Sequence, residues 1–385
     1  MEQFKEKLHF ASDYMEGAHP KVLDALVRTN ALSTPGYGGD AFCRSAERLI
    51  LDECGCPDGE VHFLVGGTQT NAVVIDALLQ SYQGVLAAET GHVFVHEAGA
   101  IELGGHKVLT VPQNAGKLSA ESIRQAVRAY REDANREHMV MPGMVYLSQP
   151  TEYGTLYSRA ELAEISRVCH EAGVYLYADG ARLAYALAAP ENDVTLRDLA
   201  ALTDVFYIGG TKCGALFGEA VVFPKKGLIP HFFSIVKQHG ALLAKGRLLG
   251  VQFGALFEDG LYGRIGAPAI RSARRIREKL AERGYEMPIQ SPTNQIFAVL
   301  EDSALERLGE NVEYGFMEGS DSVVTAIIKL STVPSCAPLP SSASATGMVP
   351  KISAYIGTPI SVARMTPKGF RLPSSVSTQL SGIQL

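Results

Sequence analysis

No stretch of this 385-residue chain is apolar for long enough to cross a membrane as a helix. Positive charge is not in excess either: 35 Lys and Arg stand against 41 Asp and Glu, a formal net charge of −6. Nucleic acid or an anionic membrane surface would require a basic patch, so neither is an expected partner. Cysteine is sparse and scattered, at Cys43, Cys54, Cys56, Cys169, Cys213 and Cys336, which builds no disulfide framework. Cys54-Gly55-Cys56 could suggest half a metal site, but no second cysteine pair accompanies it. Reduced thiols in or near a loop are the better reading, and no metal is expected. Met1-Glu2-Gln3-Phe4-Lys5-Glu6-Lys7 lacks the apolar stretch of a signal peptide. These absences together point to the cytoplasm. There is no internal repeat.

Acidic residues also run out. Asp321 is the last, residues 322–385 hold none, and Ser and Pro become frequent, as in Ser335-Cys336-Ala337-Pro338-Leu339-Pro340-Ser341-Ser342. Such a shift marks either a disordered appendage or a frame-shifted reading of the gene. The expected organisation is a large domain over 31–261. A smaller α+β domain is assembled from 1–30 and 262–318 and left incomplete, and 319–385 is an aberrant tail.

What remains is ordinary globular composition, 46% hydrophobic and 20% charged. From about 60 to 225, apolar runs alternate with helix-like segments. The runs at 85–88, 108–111, 144–147, 174–178, 205–208 and 220–223 read as buried strands. Ser158-Arg159-Ala160-Glu161 is a capping box and Gly173 stands where that helix should stop. The pattern predicts an α/β fold with a mostly parallel sheet sandwiched by helices. Sites in such sheets gather at the carboxyl ends of strands.

Two of those ends carry chemistry. Tyr175-Leu176-Tyr177-Ala178-Asp179-Gly180-Ala181-Arg182 delivers an acid, and Gly209-Gly210-Thr211-Lys212 delivers an amine. A carboxylate to keep a pyridine nitrogen protonated and a lysine to form an imine are the pair that pyridoxal 5'-phosphate requires. Small neighbours allow close approach at Lys212, and burial there would lower its pKa. Arg182 could bind a carboxylate or the cofactor's ring oxygen, or simply pair with Asp179 to order a turn. Gly66-Gly67-Thr68-Gln69-Thr70-Asn71 leads from an extended segment into a helix, whose free N–H groups favour a phosphate; the plain alternative is a turn with a threonine cap. His92 follows another strand end, where an imidazole could stack on a ring or move a proton, and Glu97 could act as a base or orient one.

Taken with Ser12-Asp13 and Tyr37-Gly38-Gly39-Asp40, these motifs make the chain resemble the threonine aldolase / β-eliminating lyase family of fold-type-I pyridoxal phosphate enzymes, from about Phe10 to Phe316. The resemblance implies that Lys212 carries the cofactor, Asp179 pairs with its pyridine nitrogen and His92 stacks on its ring. Gly67 and Thr68, with Gln69 beside them, would hold the phosphate. Ser12 and Arg182 would bind the substrate carboxylate. Family members are dimers or tetramers with the active site at a subunit interface, so Tyr37 and one of Lys237, Lys245 and Arg247 would reach a neighbour's cofactor.

Two departures stand out. Glu152 occupies the neighbourhood where threonine aldolases commonly carry a histidine. The family's carboxylate-binding arginine in a C-terminal strand has no counterpart in context, since the tail offers only Arg364 and Arg371. The expected reaction is retro-aldol cleavage of a β-hydroxy-α-amino acid such as L-threonine to glycine and an aldehyde. The β-hydroxyl proton would leave through His92, Glu97, Glu152 or water. Other reactions on the same cofactor (β-elimination, transamination, racemisation) and a non-catalytic remnant of the fold remain the alternatives.

Overall fold

The computed structural model describes residues 7–320 and 323–332. A short first strand, β1 (Leu8–Phe10), belongs to a small sheet. The chain then builds a large sheet from β2 (Glu60–Leu64), β3 (Gln83–Ala88), β4 (Val108–Val111), β5 (Met141–Ser148), β6 (Tyr175–Asp179), β7 (Val205–Gly209) and β8 (Glu219–Phe223). It returns to the small sheet with β9 (Gln295–Glu301), β10 (Val312–Ser320) and β11 (Val323–Lys329).

The large sheet runs β2-β8-β7-β6-β5-β3-β4. From β7 to β4 every pairing is parallel, whereas β8 is antiparallel to both β7 and β2. A parallel return needs a crossover of about a dozen residues or more. Only residues 210–218 separate β7 from β8, so the chain doubles back.

Both faces of this sheet are buried, which is why its strands are continuously apolar. Successive residues alternate between two cores. Leu86, Val145, Leu147, Leu176, Ala178, Phe206 and Ile208 pack on one side, with Leu162 and Ile165 of the helix Arg159–Ala172. Val85, Ala87, Met144, Tyr146, Tyr177, Val205 and Tyr207 pack on the other, with Val73 and Val74 of the helix Gly67–Leu78. The predicted capping box forms at Ser158 and Glu161, and Gly173 closes that helix at φ 64°.

The small sheet runs β1-β10-β11-β9. Of residues 1–30, β1 joins it, while the helix Pro20–Thr29 packs on the helix Arg247–Phe257 instead. The boundary expected after residue 318 is corrected here. β11 lies between β10 and β9, in antiparallel register from Val323 opposite Glu301 to Lys329 opposite Gln295. Val323-Val324-Thr325-Ala326-Ile327-Ile328 is dense in β-branched residues and forms a strand whatever the composition around it. Ala326, Ile328 and Leu330 are buried in the main core. The rest of the expected tail, with Cys336, Arg364 and Arg371, lies outside the described residues.

Candidate active site

The carboxyl ends of the parallel strands open onto one cavity of about 410 Å³. β6 places Asp179 there, β5 leads to Glu152, β3 leads to His92 and β7 leads to Lys212. Because β8 is antiparallel, its first residue, Glu219, arrives at the same edge. Two glycines bring the chain segments together. The Gly209 N–H donates to Gly180 O at 3.0 Å, and a Cβ on Gly180 would stand only 1.9 Å from Tyr207 O. The sequence motif's small residues thus serve backbone contact between β6 and β7.

Asp179 is buried and fully engaged. Its Oδ2 accepts from Tyr146 Oη at 2.6 Å and Asn71 Nδ2 at 3.2 Å, and its Oδ1 accepts from the Ala181 N–H at 2.9 Å. Tyr177 Oη donates to Asn71 Oδ1 at 2.8 Å and so orients that amide. Three donors on one carboxylate fix its orientation and leave it as an acceptor toward the cavity. Burial, reinforced by Asp179, Glu152 and Glu97, keeps Tyr146 protonated far beyond neutrality.

His92 and Glu97 form a second unit. His92 Nδ1 lies 2.8 Å from Glu97 Oε1, which also accepts from Asn71 Nδ2 at 2.7 Å. With its Nδ1 proton given to Glu97, the ring keeps Nε2 as its free nitrogen. Glu97 therefore sits behind His92 and does not line the cavity. Glu152 does line it. Its Oε1 accepts from Ser148 Oγ at 2.7 Å and from the His92 N–H at 2.9 Å. Burial raises the Glu152 pKa, and Asp179 adds to that against these hydrogen bonds.

Arg182 does not pair with Asp179. It grips Asp13, Nε to Oδ2 at 2.6 Å and Nη2 to Oδ1 at 3.0 Å, while Asn294 Nδ2 donates to the same Oδ2 at 3.0 Å. Burial alone would raise the Asp13 carboxyl; Arg182, Lys212 and these bonds outweigh it and hold it below the ordinary carboxylate range. Lys212 is depressed by burial first and then by Arg182, against the pull of Asp13, Asp179 and Glu219. Its Nζ stands 6.0 Å from the Tyr14 ring centroid. Lys329 of β11 is pushed down to about 8 by burial and by Arg182, which brings a basic side chain of the expected tail into this charge cluster. Ser12 Oγ is buried without a partner beside Asp13.

The phosphate reading depends on the helix Gly67–Leu78. Its N-cap, Gly66, supplies no side-chain hydrogen bond, so the first N–H groups are uncapped, and Thr68 lies within the helix and is not its cap. Gly66, Gly67 and Thr68 line the cavity. Gln69 is turned away from that task, its Oε1 accepting from Val65 N–H at 3.2 Å. Tyr37 lines a separate hollow of about 240 Å³, with Lys237 Nζ 4.5 Å from its ring centroid. Of the three basic candidates nearby, Arg247 is committed within the chain, donating to Thr29 O at 2.9 Å and Asn30 O at 3.3 Å. Cys54 ends the helix Ala41–Cys54, and no group of three or more metal-ligating side chains stands among the described residues. Asn71, Tyr146, His96 and Glu219 were not singled out from the sequence; an acid opening the apolar run at 219–223 was the one visible signal.

This arrangement is that of the fold-type-I pyridoxal phosphate enzymes. Aspartate aminotransferase from Thermus thermophilus, 16% identical, superposes with a TM-score of 0.65 over 92% of this chain and 91% of its own, which speaks for the fold alone. The chain belongs to the beta-eliminating lyase family, whose model matches residues 9–315. A low specificity L-threonine aldolase of Pseudomonas sp. (strain NCIMB 10558) is 36% identical over 307 residues, covering 78% of this chain and 86% of that protein. A threonine aldolase structure from Leishmania major is 40% identical, with a TM-score of 0.85 over 90% of this chain and 98% of that one.

Proposed function

We propose that this chain binds pyridoxal 5'-phosphate at Lys212 and cleaves an L-threonine-like β-hydroxy-α-amino acid to glycine and an aldehyde. The residues fit that cofactor. An uncapped helix N-terminus suits its phosphate, the Asp179 carboxylate suits its pyridine nitrogen, and a buried lysine of depressed pKa faces both. The buried Ser12 Oγ, beside Asp13, has no partner among the described residues, a polar atom that a bound group or its water would satisfy. The cofactor, when bound, supplies the electron sink for breaking the Cα–Cβ bond.

The protein's own groups do the rest. Desolvation lowers the Lys212 pKa, which favours the free amine that can act as nucleophile. Tyr146, Asn71 and the Ala181 N–H hold Asp179 in place by three donated hydrogen bonds. Asp13 fixes the Arg182 guanidinium as a preset cation for a substrate carboxylate, with Ser12 Oγ near by. Glu152, whose pKa burial raises, is poised to accept the β-hydroxyl proton, while His92 presents Nε2 to the ring or to that same proton. The observation that carries this reading is the meeting of Asp179, Lys212 and the His92–Glu152 pair in one cavity, in a chain so similar to named aldolases.

Tyr37 and Lys237, outside the cavity, fit a role toward a second copy, as a homodimer or homotetramer would require. The cytoplasm suits a chain whose described cysteines are all free; no helix among the described residues is long and apolar enough to cross a membrane. Absorption spectra of the purified protein with and without L-threonine or glycine, with aldehyde and pyruvate assayed, test the proposal. Acetaldehyde from L-threonine supports it; pyruvate from other amino acids without aldehyde favours elimination instead.

A further inference from the structure

Glu219 is the one buried acid of the cavity that the reaction above does not use. It is 3% exposed and lines the cavity. Its Oε2 accepts from the Gly210 N–H at 3.0 Å and its Oε1 from Thr211 Oγ at 2.8 Å. Thr211 Oγ in turn accepts from the Gly218 N–H at 3.1 Å. The carboxyl thus clasps the two residues that precede Lys212 and closes the loop joining β7 to β8. A neutral amide, with one acceptor oxygen, could accept only one of these two bonds. A carboxyl is costly to bury, by several kcal/mol if ionised, so its place at the cavity edge calls for a use.

We propose that Glu219 is a positioning residue for Lys212, clasping the loop that presents it and, in its ionised form, setting a negative charge against Arg182 on the lysine's side of the cavity. Among the groups that feel its charge, Tyr207 of β7, Tyr177 of β6, Tyr262 and Cys213 are all kept neutral by burial. Burial dominates and pushes Glu219 up to about 8; Thr211, Gly210 and Lys212 act against it, and Asp179 adds to it. The carboxyl and the amine therefore influence each other's titration. Leu64 opposite Glu219 on β2 brings no charge to it.

The inference rests on Lys212 being the cofactor lysine, but its test does not. Lys212 is reductively ¹³C-methylated in the cofactor-free full-length protein and its resonance titrated with pH. The visible band of the cofactor-loaded protein is titrated in parallel. Glu219→Gln keeps an acceptor for the clasp and removes the charge. The midpoint should fall by about 1 pH unit or more, a tenfold loss of proton affinity, in both titrations, with the melting temperature little changed. Thr211→Val, which removes a donor that favours the charged carboxyl, should move it the same way by less and guards against a Gln variant that fails to fold. Midpoints unmoved in either folded variant, with only a lowered melting temperature, would make Glu219 a clasp and nothing more. A shifted methyl-lysine midpoint in a protein that shows no cofactor band would instead uphold the role of Glu219 and sink the cofactor assignment.

Discussion

Arg182 and Asp13 meet in two parallel hydrogen bonds, 2.6 and 3.0 Å long, across 169 residues of chain. Both are buried, with 12% of the arginine side chain and none of the aspartate's exposed. The pair welds the N-terminal segment to the strand-end loop after β6 and aims a fixed cation into the cavity.

Removing Asp13 strands that cation. Asp13→Ala should cost about 3–5 kcal/mol, the range for breaking a buried ion pair, measured by denaturant unfolding. Because the folded Asp13 carboxyl lies below its unfolded value near 3.8, the stability it contributes is present above that pH and fades as pH falls beneath it. Asp13→Asn should lack this acid-dependent part, and its stability curve should be flatter than the wild type's below about pH 4.

Glu152→Gln leaves a side chain that can still accept from Ser148 Oγ but removes the base. A drop in kcat of about 10²–10⁴ is expected, with KM little changed. The acid limb of the kcat profile, set by the raised Glu152 carboxyl, should vanish with it. A profile that keeps this limb in the variant would move the base to another group.

Glu97 acts through His92, so the two substitutions should not add. Glu97→Gln is expected to lower kcat in the wild-type background and to have little further effect beside His92→Ala, as a double-mutant cycle would read.

The strand β11 supplies core residues, not a loose appendage. Ile328→Ala removes a side chain 1% exposed and should destabilise by about 2–5 kcal/mol. Unchanged stability would detach this segment from the fold.

Asp179 and Lys212 could be found from sequence because each follows an apolar run, and strand ends in parallel sheets converge. The His92 segment was legible for the same reason. Glu219 was not, since its arrival at that edge depends on β8 running antiparallel, a fact of topology. Asn71 reads as an ordinary helical residue until its amide is seen to span Glu97 and Asp179. The alternative of an Asp179–Arg182 pair does not form; Asp13, the actual partner, was not legible because it lies 169 residues away in the chain. Composition hid β11: the loss of acidic residues after Asp321 drew attention from six residues of strong strand propensity.

The account stands or falls on Lys212. Borohydride reduction of the cofactor-loaded protein, followed by proteolysis and mass spectrometry, locates the lysine that holds pyridoxal phosphate. The expected result is one modified peptide, containing Lys212, and none in Lys212→Ala. A modified peptide centred on any other lysine, or the same yield in that variant, would contradict it.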